Sequence, residues 1–359
     1  MSRSATNDSP GRGSRFGVLL LLVGSLVVAL LLAEGAFRVL SGEHVELNGM
    51  YTGDDVIGVA LTPGFHGAVR TSEFDHAVAI NDLGMRDGAV APKAPGTKRV
   101  LVIGDSFVFG VGVELGDSLP KALERHLEDA EPGVRVEVFN AGVPGYSPWQ
   151  ELQTLRKLAP RVSPDLVVQV VFMGDDWYGN ARRTPPDEAR KDVSEWLRVH
   201  SALFRFVDRF VLSRLKGGDH YEPHRLHPAP EFEARMSEVV KLLEQTRATA
   251  QAAGAQFVAV LCPRYSQVYD DAWAKASLVY RLSADDYSPL EPNRSFGERL
   301  RADGFGVIDL LEPMREEGRH RMLHFPIDGH WNRDGNDFVA ALIATSVRAR
   351  LDGRGAAAG

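Results

Sequence analysis

The chain has 359 residues, 44% of them hydrophobic and 25% charged, the balance of an ordinary globular protein and long enough for one α/β domain with insertions. Its formal net charge of −7 argues against a surface built to hold nucleic acid. The single cysteine, Cys262, excludes an internal disulfide and a cysteine-based metal site; in the apolar run FVAVLCP (257–263) it reads as a buried strand residue rather than a reactive thiol.

Residues 1–15 combine Ser, Gly and Pro with Arg3, Arg12 and Arg15 against Asp8 alone, and predict a disordered tail of net positive charge. From Phe16 to Ala33 no residue is charged, and as a helix this stretch would extend about 27 Å, close to the hydrocarbon thickness of a bilayer. Glu34 and Arg38 then fall at the far interface, so a transmembrane anchor is placed over 16–38. A cleaved signal peptide is the rival, but its apolar region is usually shorter and the small-residue cleavage pattern here is poor. A buried core helix fits badly with so apolar a run directly after a basic tail. Because the basic residues precede the span, the tail is expected in the cytoplasm and everything after residue 40 on the other side, in a bacterium the periplasm or cell exterior.

Residues 39–98 read as a small leader subregion and linker, with AVAINDLGMRD (77–87) the clearest strand and turn and a Pro-rich APKAPGTK (91–98) after it. From Arg99 the texture changes. RVLVIG (99–104), VRVEVFNAG (134–142), DLVVQVVFMG (165–174), QFVAVLCP (256–263) and FGVIDL (305–310) are short, Val-rich and apolar at consecutive positions, as strands covered on both faces are. LPKALERHLEDA (119–130), PWQELQTLRKLAPRV (148–162) and EFEARMSEVVKLLEQTRATAQAAGA (231–255) have helical spacing with one buried face. This alternation predicts a three-layer α/β/α domain over 99–350, built on a parallel sheet that binds ligands beyond the carboxyl ends of its strands.

One insertion, 178–230, interrupts the alternation. Its segment 187–215 suits an amphipathic helical pair, positioned to act as a lid over those strand ends. The loop after it, DHYEPHRLH (219–227), places His220, His224 and His227 at spacings a metal could use, but it lacks a helical or strand frame and reads as a solvated loop. Residues 351–359 read as a frayed tail.

Four motifs sit at strand ends. Gly104-Asp105-Ser106 closes the first sheet strand and would expose the Ser106 hydroxyl near unpaired backbone N–H groups of the next helix; alone, it could equally be a turn. A serine nucleophile needs a base, and the base an orienting group. DGHWN (328–332) offers Asp328 and His330 one residue apart, close enough for a turn to fold the carboxylate onto one imidazole nitrogen while the other faces the serine. FNAGVPGYS (139–147) supplies Asn140, Gly142 and Gly145 after the second strand, where glycine permits close backbone approach, and the Gly142 N–H is the expected oxyanion donor. FMGDDWYGN (172–180) follows the third. Phe107, Phe109, Tyr146, Trp149, Trp177 and Tyr178 lie near these motifs, available to stack on sugar rings or to pack a core.

The order Gly-Asp-Ser, Asn-x-Gly-x-x-Gly, Gly-Asp-Asp, Asp-x-His resembles the SGNH or GDSL hydrolase family over roughly residues 99–350. It looks closest to the membrane-anchored bacterial branch and the polysaccharide O-acetyltransferase relatives. The resemblance implies a flavodoxin-like sandwich and acyl-ester hydrolysis or transfer, with no metal or organic cofactor. It makes Ser106 the nucleophile, His330 the base and Asp328 its orienter, with oxyanion donors from the Ser106 and Gly142 N–H groups. One position departs from the family pattern: Asp175 stands where the family has an asparagine that donates to the oxyanion. An ionised carboxylate there would repel the developing charge, unless desolvation protonates it, or it turns away and Asn180 substitutes, or the two backbone donors suffice. Asp175 could also be the N-cap of a following helix. Asp105, Trp149 and Trp177 are expected at the substrate. The implied function is an outward-facing, membrane-anchored serine esterase acting on small acyl esters, acetyl foremost, of a surface polysaccharide. An O-acetyltransferase using the same triad and a non-catalytic glycan-binding protein are the alternatives.

Overall fold

Five Val-rich segments build the central sheet: β6 (Lys98–Gly104), β7 (Val136–Gly142), β8 (Leu166–Phe172), β9 (Gln256–Cys262) and β10 (Val307–Asp309). The computed structural model describes residues 12–41, 44–130, 133–179, 201–207 and 218–353. All pairings among the five strands are parallel and the spatial order is β7-β6-β8-β9-β10, the flavodoxin-like order in which the chain direction reverses between β6 and β8. Successive strand residues point to opposite faces, so each strand feeds two cores. Val100, Val102, Val168, Val170, Val258 and Val260 join one core with α3 (Leu119–Ala130) and α11 (Arg333–Leu351); Leu101, Ile103, Val167, Val171, Ala259 and Leu261 join the other with α4 (Pro148–Val162) and α6 (Pro230–Ala252). The helix faces that close these cores have the expected spacing, as in Leu119, Ala122, Leu123 and Leu127 of α3, all essentially inaccessible to solvent. Each such leucine contributes about 1.5–3 kcal/mol through burial. Cys262 is buried, as its run predicts.

Residues 39–98 do more than link. They form a sheet of β1 (His44–Glu46), β4 (His66–Arg70) and β5 (Asp75–Ala79), and a hairpin of β2 (Tyr51–Asp54) and β3 (Gly58–Leu61). Their few apolar side chains are scattered among Gly and Asp, too sparse for a core of their own. Met50, Ile57, Leu61, Val78 and Ile80 complete one with Phe109, Val143 and Tyr146. Arg86, fully buried, donates to the carbonyls of Phe109, Gly110, Val113 and Ala77, which ties the leader to the loop after Ser106.

The N-terminal helix α1 (Arg12–Ser41) contains a 20-residue stretch, Gly17–Ala36, of mean hydropathy 2.5 and long enough to cross a membrane; the protein itself buries none of it. Of the insertion, α5 (Ala202–Val207) is described: Glu34 of α1 accepts the Ser201 hydroxyl at 2.7 Å and the Leu203 N–H at 3.0 Å. The rest of the expected helical pair lies outside the described residues. The histidine loop departs from expectation. His224 is buried, ringed by Tyr221 and Trp273 with centroids 5.2 and 5.4 Å away, while His227 is exposed. The aromatic neighbours supply an apolar frame that the polar sequence did not advertise, and burial keeps the His224 pKa well below the ordinary value.

Candidate active site

β6 ends at Gly104 and the chain turns into the single helical turn α2 (Ser106–Phe109), placing Ser106 at the carboxyl edge of the sheet beside the β6–β8 switch point. Asp105 caps this turn: its Oδ1 accepts the Phe107 N–H at 2.9 Å. From the opposite side, the loop between Leu323 and α11 brings in the other two groups. His330 Nδ1–H donates to Asp328 Oδ1 at 2.5 Å, and Ser106 Oγ–H donates to His330 Nε2 at 2.7 Å. The Phe107 ring packs against the imidazole with centroids 4.9 Å apart and against Trp331 at 4.8 Å, fixing the histidine plane. The side chains of His330 and Asp328 are 23% and 16% exposed, so the chain of hydrogen bonds is shielded yet open to a cavity.

That cavity, about 620 Å³, runs across the strand ends. Ser106, Phe107, Asp328 and His330 form its centre; Gly145 and Tyr146 bound it after β7; Phe172, Asp175 and Tyr178 after β8; Arg264 and Tyr265 after β9, with Tyr221 beside them. The Arg264 guanidinium lies over the Tyr221 ring at 5.2 Å.

Gly142 is not on this wall. Its N–H donates to its neighbour Asn140 Oδ1 at 3.1 Å, and a Cβ at Gly142 would come within 2.2 Å of the Phe109 N, so this glycine lets β7 pack under α2. The glycine at the cavity is Gly145, held at φ +77°. Trp177 also departs from expectation: it is 1% exposed, its indole N–H donates to the Met173 carbonyl, and its ring packs edge-on against Phe296 and Phe232 in the core. Trp149 is half-buried in the first turn of α4, off the cavity wall. Asp105 reaches the cavity, though as a buried cap beneath Ser106.

Asp175 is exposed at the cavity, and among the described residues it caps no helix: residues 173–177 form turns, with the Tyr178 N–H donating to the Asp175 carbonyl. Asn180 lies outside the described residues. The buried member of the Asp-Asp pair is Asp176, whose Oδ2 accepts the Phe172 N–H at 2.7 Å. Carboxylate oxygens of Asp105, Asp175 and Asp176 all lie within 4.8 Å of one another. Burial first, and then the Asp175 charge, push Asp105 up to about 7; burial, then the charges of Glu151 and Asp105, hold Asp176 well above the carboxylate range. Glu151, buried under the same strand ends and accepting from Gln169 at 2.6 Å, is pushed up to about 8, chiefly by burial. A partly protonated acid cluster therefore underlies the serine.

Gly145, Tyr221, Arg264 and Tyr265 were not singled out as site residues by sequence reasoning. For Arg264 and Tyr265 a signal existed, since they follow directly on a strand whose carboxyl end must face the ligand side. Gly145 lies within the Asn-x-Gly-x-x-Gly motif, three residues beyond Gly142, and of the two it is the one that lines the cavity.

Residues 221–358 match a family model described as SGNH hydrolase-like domain, acetyltransferase AlgX; the matched span contains Asp328 and His330 but not Ser106. The fold is SGNH-like, and over residues 221–358 the chain is similar to that SGNH hydrolase-like domain. No curated protein matches the sequence. Similar solved structures include TesA (14% identity, 70% of this chain, 99% of that one, TM-score 0.40) and the lipase/acylhydrolase from Enterococcus faecalis (16%, 70%, 96%, 0.42). The acetyl xylan esterase AlAXEase is similar at 14% identity, over 69% of this chain and 99% of that one, with a TM-score of 0.40.

Proposed function

We propose that this chain is a serine-dependent carboxylic-ester hydrolase whose substrate class is small acyl esters, acetyl foremost, carried on a polysaccharide. The observation that carries the reading is the unbroken hydrogen-bond chain from Ser106 Oγ through His330 to Asp328, open to a cavity at the switch point of the sheet. In the first half-reaction Ser106 Oγ attacks the ester carbonyl carbon as its proton passes to His330 Nε2; Asp328 holds the Nδ1 proton and stabilises the imidazolium. The resulting oxyanion is met by backbone donors, a role this reading assigns to the N–H groups of Ser106 and Gly145, two residues that line the cavity. Collapse breaks the bond to the alcohol, which leaves with the proton from His330. Water then repeats the sequence on the acyl-serine, releasing the acid and restoring the serine. Asp175 adds a negative charge on the wall where the related enzymes carry a donor, so the oxyanion depends on the backbone groups.

The match to an acetyltransferase domain favours a second resolution of the same intermediate, in which a glycan hydroxyl takes the place of water. The apolar α1 stretch supports a membrane anchor, with the basic tail cytoplasmic and the domain outside.

The test is turnover of an aryl acetate by the full chain in detergent across pH 5–9, beside Ser106→Ala. Turnover that rises as an imidazole base deprotonates and vanishes in the variant is the expected result; equal turnover in both ends the reading. Competition between water and added glycan for the acyl-serine separates hydrolysis from transfer. A reporter fused after Gly359 is expected to be active only outside the cytoplasm.

A further inference from the structure

The loop carrying Asp328 and His330 is held from the far end of the sequence. Both carboxylate oxygens of Glu73 are committed to it: Oε1 accepts the Ile327 N–H at 2.9 Å and Oε2 the Asp328 N–H at 2.7 Å. Glu73 sits at the tip of the β4–β5 hairpin, and the tip itself is fixed, since the Thr71 hydroxyl accepts the N–H groups of Glu73 and Phe74 at 3.1 and 3.2 Å. Phe74 then packs on Phe325 with ring centroids 5.0 Å apart. Phe325 opens the loop whose other end is His330, and the two exchange a backbone bond, Phe325 N–H to His330 carbonyl, at 2.8 Å. Asp328 lies in a turn, its side chain 16% exposed, and its Oδ1 takes the His330 Nδ1–H and, at 3.3 Å, the His330 backbone N–H.

We propose that Glu73 is a positioning residue for the Asp328–His330 pair, so that the leader hairpin is a working part of the active site rather than a spacer before it. A charged acceptor on two adjacent N–H groups fixes both the position and the tilt of the peptide that bears Asp328. A loss of that grip lets the carboxylate drift from Nδ1 and with it lets Nε2 drift from Ser106. Misplacement of about 1 Å in such an arrangement costs on the order of a hundred-fold in rate. The role is indirect: Glu73 touches the backbone that carries the base's partner, not the reacting atoms. This proposal rests on the triad reading above, and its test is chosen to fail separately from it.

Glu73→Gln and Glu73→Ala are prepared in the full chain, in detergent, and measured with an aryl acetate. Glutamine keeps one acceptor oxygen and alanine none. Expected is a graded fall in kcat, wild type above Gln above Ala, reaching about ten- to a hundred-fold for Ala, with KM within about two-fold and the thermal midpoint of the Gln variant unchanged. A second readout needs no turnover: the low-field proton resonance of the His330–Asp328 hydrogen bond is expected in the wild type and Ser106→Ala, and lost or broadened in Glu73→Ala. Wild-type kcat in both Glu73 variants, or an undiminished resonance in Glu73→Ala, overturns the proposal. So does a fall in kcat confined to variants whose thermal midpoint falls with it. A wild-type chain without Ser106-dependent turnover refutes the catalytic reading instead, and the resonance still decides whether Glu73 sets the loop.

Discussion

Asp175 and Trp177 follow the same strand two residues apart and meet opposite fates, one exposed on the cavity wall and the other 1% exposed in the core. For Asp175 the consequence is electrostatic. An exposed carboxylate beside a developing oxyanion raises the barrier, and losing a donor from such a site typically costs about a hundred- to a thousand-fold in rate. Asp175→Asn is therefore expected to raise kcat on an aryl acetate, by up to that factor where the amide reaches the oxyanion, with little change in KM; a clear fall in a folded variant contradicts this account. For Trp177 the consequence is packing. Trp177→Ala is expected to cost about 3–5 kcal/mol in denaturant unfolding, through the cavity left between Phe232 and Phe296, without a selective change in KM for a glycan ester. The sequence leaves Trp177 open to sugar rings or to a core, and Asp175 to the oxyanion or to a helix cap. Which side of a short turn each takes depends on the partners across it, and those come from positions 232 and 296.

At the scale of elements, the five sheet strands and the helices at 119–130 and 148–162 were legible because their periodicity is set locally: consecutive valines for strands covered on both faces, and a three-to-four spacing for helices. Ser106, His330 and Asp328 could be read as a set from the order of the Gly-Asp-Ser and Asp-x-His motifs, and the fold brings these three side chains into one hydrogen-bonded chain. The leader was not legible as a structural layer. Its strands are three to five residues long, and its apolar side chains close a core only together with Phe109, Val143 and Tyr146 from beyond the leader, so no local pattern announces it. Nor does the sequence show that Arg86 is buried, since its four carbonyl partners are contributed by both the leader and the loop after Ser106. Arg86→Met leaves those carbonyls without their donor and is expected to destabilise by at least ~2–3 kcal/mol in urea unfolding. Because three of the carbonyls, those of Phe109, Gly110 and Val113, lie at the end of α2 and just beyond it, ester turnover should fall even below the denaturation midpoint.

At the scale of the whole molecule, two sets of buried titratable groups pull stability in opposite directions with pH. Asp105, raised to about 7, and Glu151, raised to about 8, bind protons more tightly folded than unfolded. Their stabilising difference is complete below the ordinary carboxylate range and is lost as pH rises through about 7 and 8. His76 is lowered to about 4, by burial and then by the Arg86 charge, and His324 to about 3, by burial and then by His330. These contribute stability that is present above the ordinary imidazole value and lost as pH falls toward about 4 and 3. The two sets offset each other between the ordinary carboxylate and imidazole values, so the thermal midpoint is expected to be highest in that mildly acidic range, declining toward about pH 8 as charge is forced into the acid cluster and declining again below about pH 4, where only the histidine loss remains. Asp105→Asn separates the two arms. Asparagine can still accept the Phe107 N–H as a cap, and it removes a buried carboxyl whose ionisation is worth on the order of a few kcal/mol. The variant's midpoint should fall less steeply than the wild type's between about pH 4 and pH 7, the window between the ordinary carboxylate value and the raised one, and run parallel to it above about pH 8. Parallel curves across that acidic window would mean that Asp105 gives up its proton in the folded protein as readily as in the unfolded one, and that the acid cluster beneath the serine holds its protons elsewhere.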